Sequence, residues 1–175
     1  MGFFASLWKK KENEPPAGPV VPAVKVIKVS NYLSEKTICF FNPGASKQEV
    51  LARLIDSMDL PDAQGALKAI LERETAGTTV IAPGIAVPHA RLSGLSQLVA
   101  SIGICSTGVP EPSAEDAPTR LFVLFVGPAA NMKEHLGFLA SIASLFQTDG
   151  FGDSLLLQTT PKDVLQKIRS TEQSL

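Results

Sequence analysis

Residues 121–146 read LFVLFVGPAANMKEHLGFLASIASLF, a short apolar run followed by a long amphipathic segment. The run Leu121–Val126 contains no polar residue, which is typical of a strand buried on both faces. From Asn131 to Phe146 the apolar residues recur at helical spacing, so this segment is predicted to be the longest helix. A buried strand that leads into a helix is characteristic of an α/β fold.

The alternation of strand and helix continues outward from this stretch. Strands are predicted at three further runs of apolar or β-branched residues: 37–41, 78–82 and 98–105. Helices are predicted to begin at three N-terminal signals: the capping box Ser46–Glu49, Pro61-Asp62 and Thr160-Pro161. The pattern predicts a single α/β domain over residues 31–175, with a mixed β-sheet flanked by helices on both faces.

Composition excludes several classes of protein. The 175 residues are 45% hydrophobic and 19% charged, which is unlike a disordered, collagen-like or coiled-coil chain. The net charge of −1 provides no overall basic field, so no nucleic-acid partner is expected. The apolar runs are too short to span a bilayer. Cys39 and Cys105 lie in apolar segments without metal-ligand spacing, which indicates free thiols in a reducing, cytoplasmic compartment and neither a metal nor a cofactor.

Residues 1–30 differ from the rest and are predicted to be a flexible basic, Pro-rich head and linker. Five lysines against two glutamates give this head a net charge of +3, while the remainder carries −4. The tip, residues 1–11, reads MGFFASLWKKK and has three interpretations: a frayed terminus, an N-terminal acylation site, or an anchor in weak peripheral contact with the inner membrane face.

Residues 73–91, RETAGTTVIAPGIAVPHAR, contain the strongest candidate for chemistry. Pro88 fixes the backbone directly before His89, so this histidine is predicted to sit in a stiff loop, placed to contact a ligand or partner. The alternative is a histidine that only hydrogen-bonds its own loop.

A neutral imidazole can act as a base, a metal ligand or a nucleophile. Metal binding needs three or more ligands, and the chain has only two histidines. A serine hydrolase of the G-x-S-x-G type is excluded, because that elbow is missing. Phosphoryl acceptance needs only the imidazole and positive donors around the phosphoryl oxygens, which Arg73 and Arg91 can supply.

The segment GIAVPHAR, Gly84–Arg91, resembles the phosphorylation-site motif of enzyme IIA domains of the fructose/mannitol class of the bacterial phosphotransferase system, which includes the nitrogen-regulatory IIA proteins. Four further segments resemble the family in the same order along residues 31–172: Tyr32-Leu33-Ser34, Ser46–Glu49, Ala69–Glu74 (AILERE) and Glu134-His135-Leu136.

The resemblance implies a mixed sheet with flanking helices and a phosphohistidine mechanism, that is, a phosphotransferase. His89 would receive the phosphoryl group from HPr, the histidine-containing carrier, and pass it to a cysteine of a IIB domain or hold it as a signal. Arg73 would pair with the phosphoryl oxygens and His135 would hydrogen-bond them. Thr79 matches the threonine of the family, and Arg91 follows the site in many members.

Ala82 and Pro83 depart from the family pattern, in which a glycine and a polar or acidic residue usually stand before the apolar run of the motif. This departure puts the rate and the choice of partner in doubt, but it leaves the nucleophile. Two hypotheses follow: a phosphocarrier of the transport or regulatory branch, and a IIA-like regulatory interaction module with vestigial phosphotransfer. No IIB or membrane domain is fused to this sequence, which favours the regulatory branch.

Overall fold

The computed structural model describes residues 27–111 and 117–175 and contains one mixed β-sheet with helices on both sides. The strands are β1 (Ile38–Phe41), β2 (Val80–Ala82), β3 (Ile85–Ala86), β4 (His89–Leu92), β5 (Val99–Val109) and β6 (Thr119–Pro128). The helices are α1 (Lys47–Asp56), α2 (Ala63–Thr75), α3 (Met132–Gln147), α4 (Phe151–Leu156) and α5 (Pro161–Ser174). Two short 3₁₀ turns, Val29–Tyr32 and Glu35–Thr37, precede β1.

The centre of the sheet is the antiparallel pair β5 and β6. Strand β1 lies parallel to β5 on one side. On the other side of β6, both β3 and β4 run parallel to it, and β2 forms a hairpin with β3. The sheet is therefore mixed, as predicted. Pro88 separates β3 from β4 because it has no N–H to donate, but its carbonyl accepts from the Phe125 N–H at 3.1 Å and keeps the chain on β6.

Strand β6 is buried on both faces, and its side chains alternate between two hydrophobic cores. Leu121, Val123 and Phe125 pack with α3, α4 and α5. Phe122, Leu124 and Val126 pack with α1 and α2 on the opposite face. This alternation explains why the run contains no polar residue, and it confirms the prediction of helices on both faces.

The predicted helix starts agree with the structure. The Ser46 hydroxyl accepts from the Glu49 N–H at 3.2 Å, while the Glu49 carboxylate accepts from the Ser46 N–H at 2.8 Å, which is a reciprocal capping box. Asp62 and Thr160 are simple N-caps of α2 and α5: their side-chain oxygens accept from the Gly65 and Asp163 N–H groups.

One local prediction was wrong: His89 does not lie in a loop but is the first residue of β4, paired with Phe125 of β6. Strands β3 and β4 are only two and four residues long and are separated by Val87 and Pro88, so neither is long enough to show a period of two in the sequence. Helix α4 was also missed, because its six residues are too few to show a helical period.

The chain already packs against the domain at Ile27, four residues before the predicted domain boundary. The Ile27 N–H donates to the Ser141 hydroxyl at 2.9 Å, Val29 is buried, and the Ser30 N–H donates to Glu172 at 3.2 Å. The rest of the predicted head, including the interpretations of residues 1–11, lies outside the described residues and stays a prediction. Within the described residues, no helix has the length and apolar character needed to cross a membrane.

Candidate active site

A surface cavity of about 500 Å³ lies between α2, β4 and α3. Its polar lining includes Arg73, His89, Arg91 and His135, four of the five residues to which the sequence analysis assigned chemistry. The packing of three elements positions these four side chains: α2 and α3 cover opposite faces of the sheet, and β4 is held against β6 between them. The fold therefore brings two imidazoles and two guanidiniums to one opening.

The His89 ring is fixed by two contacts. Its Nδ1 lies 2.8 Å from the Val87 carbonyl oxygen, so Nδ1 carries the proton and donates it to that carbonyl. The ring also stacks on Phe125, with centroids 5.3 Å apart and an interplanar angle of 16°. In this tautomer the lone pair of the neutral ring is on Nε2. The nucleophilic atom is thus specified by a backbone hydrogen bond.

The pKa of His89 lies below its ordinary value of 6.5, chiefly because burial disfavours the charged imidazolium. The hydrogen bond to Val87 and the Glu74 carboxylate raise this pKa, whereas the Arg73 guanidinium lowers it. The balance favours the neutral ring at neutral pH, which is the form that can attack phosphorus.

His135 is buried beside His89, with the ring centroids 5.2 Å apart. Its Nδ1 is buried and has no hydrogen-bond partner among the described residues. The pKa of His135 is lowered to about 4, chiefly by burial and to a lesser extent by the charges of His89 and Arg91. His135 is therefore neutral at physiological pH, and it can donate one hydrogen bond to an anion between the two rings.

Arg73 and Arg91 supply the positive charge of the cavity. Arg73, in the last turn of α2, donates from Nη1 to the Gly77 carbonyl at 3.1 Å. In the part of the chain that the structure describes, no carboxylate lies within ion-pair distance of Arg73. Its guanidinium is therefore available to an anionic ligand. Arg91 is exposed, and its Nη1 lies 3.9 Å from the Met132 sulfur at the rim.

Thr79, the remaining predicted site residue, is buried behind the cavity and is not part of its lining. Its hydroxyl donates to the Glu74 carboxylate, and its carbonyl accepts from the Val87 N–H at 2.9 Å. Thr79 thus contacts the residue whose carbonyl holds His89, which is an indirect connection to the ring.

The structure adds groups that the sequence did not indicate. Phe125 under the His89 ring has no signal of its own in the sequence, since it is one of several phenylalanines in apolar runs.

Ala82 and Pro83, which depart from the family pattern, lie at the β2–β3 hairpin turn and do not line the cavity. In the described ranges, no three His, Cys, Asp or Glu side chains come together as metal ligands.

His135 should make the protein less stable in mild acid. Its folded pKa of about 4 is below the ordinary 6.5, so unfolding takes up a proton between these values. The contribution of His135 to the free energy of unfolding is fully present above the pKa that His135 has in the unfolded chain. It is lost as the pH falls towards the pKa in the folded protein, at up to about 1.4 kcal/mol per pH unit. The free energy of unfolding, measured with urea, should fall less between about pH 7 and about pH 5 for His135→Gln than for wild type. Equal losses would assign the effect to other groups.

The model of the family described as "Phosphoenolpyruvate-dependent sugar phosphotransferase system, EIIA 2" matches residues 31–171. The chain belongs to this family. It is a phosphotransferase, the IIA component of a phosphohistidine relay, and the resemblance inferred from its motifs is confirmed.

Relatives of this IIA protein come from both branches of the family. It is 27% identical over 150 residues to the "PTS system fructose-specific EIIA component" of Haloferax volcanii, covering 82% of this chain and 97% of the relative. It is 31% identical over 128 residues to the "Nitrogen regulatory protein" of Pseudomonas aeruginosa, covering 71% and 83%.

Solved structures share the fold. The nitrogen regulatory protein IIA-Ntr from Neisseria meningitidis superposes with a TM-score of 0.71 at 21% identity, covering 80% of this chain and 98% of that one. The mannitol IIA enzyme of Escherichia coli, solved in complex with phosphorylated mannitol IIB, superposes with a TM-score of 0.63 at 19% identity, covering 79% and 97%. The mixed sheet with helices on both faces is thus the fold of the family.

Proposed function

We propose that this protein is a cytoplasmic phosphocarrier in which His89 Nε2 accepts a phosphoryl group from phosphorylated HPr. It then passes the group to a cysteine of a IIB protein or holds it as a regulatory signal. The observation that carries the proposal is the 2.8 Å hydrogen bond from His89 Nδ1 to the Val87 carbonyl, in a cavity shared with Arg73 and His135. This bond leaves Nε2 as the free nucleophile.

The transfer step needs no general base. The lone pair of His89 Nε2 attacks phosphorus, and the P–N bond to the carrier histidine breaks, returning its electron pair to the carrier ring. The His89 Nδ1 proton stays in place, and its hydrogen bond to Val87 stabilises the positive charge that the ring gains. In the reverse sense, attack by a cysteine thiolate returns the electron pair to Nε2.

The surrounding residues stabilise the charge on the three phosphoryl oxygens. The planar guanidinium of Arg73 can donate two parallel hydrogen bonds, and neutral His135 can donate one from the opposite side. Arg91 at the rim adds positive charge where the carrier approaches. Thr79 acts from behind the cavity, through Glu74 and Val87, on the position of His89.

The rim of the cavity suits a protein partner. Met132 and Leu136 are exposed apolar side chains of α3 that line the opening beside the charged residues. An apolar patch beside two arginines is typical of a surface that meets another protein transiently. One structural relative is a IIA–IIB complex, which supports a IIB protein as the acceptor.

Incubation with HPr, enzyme I and phosphoenolpyruvate tests the proposal. We expect an acid-labile adduct of one phosphoryl group per chain, formed more slowly at high salt because the arginines steer the carrier. Adding IIB proteins then separates the branches: transfer to a IIB cysteine indicates transport, and retention indicates regulation. No adduct at high concentrations of phosphorylated HPr would contradict the phosphocarrier and favour the interaction module.

A further inference from the structure

A cluster of charged residues lies behind the cavity, and the chemistry described above does not use it. The Lys47 ammonium is 2.7 Å from a carboxylate oxygen of Glu74 and 2.9 Å from one of Glu111. The side chains are largely shielded from water: Lys47 is 23% exposed, Glu74 13% and Glu111 2%. Each carboxylate also accepts a hydrogen bond from a threonine hydroxyl, Thr79 on Glu74 and Thr119 on Glu111.

The place of Lys47 is electrostatically unfavourable for a lysine acting alone. It is the first residue of α1, where the helix dipole favours negative charge. Although burial lowers the pKa of Lys47, hydrogen bonds and charges from Glu74 and Glu111 raise it overall, so the side chain stays charged. The two carboxylates therefore hold this cation in place, and it in turn holds them.

A continuous path of contacts leads from Lys47 to the His89 ring. Lys47 pairs with Glu74, and Glu74 accepts from the Thr79 hydroxyl. The Thr79 carbonyl accepts from the Val87 N–H at 2.9 Å, and the Val87 carbonyl accepts from His89 Nδ1 at 2.8 Å. Hydrogen bonds and ion pairs, joined through the covalent frames of Thr79 and Val87, thus connect the Glu74 carboxylate with the segment that orients the ring.

We propose that Lys47 is a positioning residue for phosphoryl transfer: it clamps the Glu74 carboxylate onto Thr79. The clamp fixes the Val87 carbonyl that orients the His89 ring. This inference rests on the proposed function for the rate effect, but not for its effect on the ring itself.

Electrostatics lead to the same expectation. The charged or titratable groups around His89 are Glu72, Arg73 and Glu74 from α2, His135 from α3 and Arg91 from its own strand. Among these groups, Glu74 is the acidic one that acts on His89, and it raises the pKa of the ring. Lys47 offsets that charge at close range. Without Lys47, the uncompensated carboxylate should favour protonated His89, which cannot attack phosphorus.

The variant Lys47→Met keeps most of the length of the side chain and removes the charge. We expect phosphoryl transfer from phosphorylated HPr to slow about tenfold, as for other small displacements of reacting groups. An NMR titration of the imidazole signals should show a raised pKa for His89, with His135→Gln assigning the two histidines. Lys47→Arg, which keeps the charge, should restore most of both properties.

Two controls separate the clamp from general charge loss. Lys36→Met removes an exposed pair with Asp59, in which Lys36 is 62% exposed, and should change neither readout. Glu111→Gln leaves the Lys47–Glu74 pair in place and should preserve the His89 pKa. In the double variant Lys47→Met/Glu74→Gln, the His89 pKa should fall back, since the uncompensated charge is removed.

Several results would overturn the proposal. One is that Lys47→Met has the same transfer rate and His89 pKa as Lys36→Met. Another is that Glu111→Gln changes both quantities as strongly as Lys47→Met does. If Lys47→Met does not fold, as judged by circular dichroism, Lys47→Gln takes its place: it also removes the charge, and an unchanged transfer rate and His89 pKa in Lys47→Gln would overturn the proposal. If wild type accepts no phosphoryl group, the proposed function fails, while the NMR titration still tests the clamp.

Discussion

His89→Ala is expected to abolish phosphorylation of the chain completely. The substitution removes Nε2, the nucleophile, and no other group in the cavity can replace it. His135 is neutral but more deeply buried, and its depressed pKa of about 4 marks a weakly basic ring. The measurement is the mass of the chain after incubation with HPr, enzyme I and phosphoenolpyruvate, with circular dichroism to show that the fold remains.

The matched control for His89→Ala is His135→Gln, which keeps a hydrogen-bond donor and the nucleophile. It should still become phosphorylated, at a reduced rate. A phosphoryl adduct on His89→Ala, or its loss only in His135→Gln, would transfer the role of acceptor to His135 and contradict the assignment.

Arg73→Ala is expected to slow phosphoryl transfer by about a hundredfold or more while leaving stability within about 0.5 kcal/mol. The rate effect is large because the guanidinium meets charge that exists only while the phosphoryl group is present. The stability effect is small because the resting side chain contributes one hydrogen bond, to the Gly77 carbonyl. Stopped-flow transfer rates and thermal melts measure the two quantities.

Two further variants sharpen the test of Arg73. Arg73→Lys keeps the charge without the planar fork and should recover only part of the rate. Arg169→Ala removes an exposed arginine of α5, away from the cavity, and should leave transfer unchanged. A drop of several degrees in the melting temperature of Arg73→Ala would show instead that Arg73 is structural.

Much of the fold could be predicted because its decisive segments have clear periods. The apolar run of β6 and the helical spacing of α3 reflect direct burial, on two faces and one face respectively. Caps such as Ser46 and Thr160 mark helix starts by local hydrogen bonds. Strands β3 and β4 could not be predicted, because their pairing with β6 depends on a distant part of the chain.

Most of the functional residues that line the cavity could be predicted from the sequence. Pro88 before His89 marked the nucleophile, and the need for positive charge around phosphoryl oxygens indicated Arg73 and Arg91. The resemblance to enzyme IIA domains added His135, and the structure brings all four side chains to the same cavity. The cluster of charged residues behind the cavity could not be predicted. Lys47, Glu74 and Glu111 come from three separate segments, and charged residues at such spacings are ordinarily exposed and solvated. Thr79 was identified by its match to the family, but its indirect connection to the ring appears only in three dimensions.

The pairing of His89 with β6 determines which partner must move during transfer. Because His89 is the first residue of a strand bonded to β6 and its ring is held by Val87 and Phe125, we expect the proposed acceptor nitrogen to move little during transfer. Alignment of the phosphorus should then come from movement of the incoming carrier. We expect the exchange of one carrier protein for the next, and not a rearrangement within this chain, to limit the rate of phosphoryl transfer.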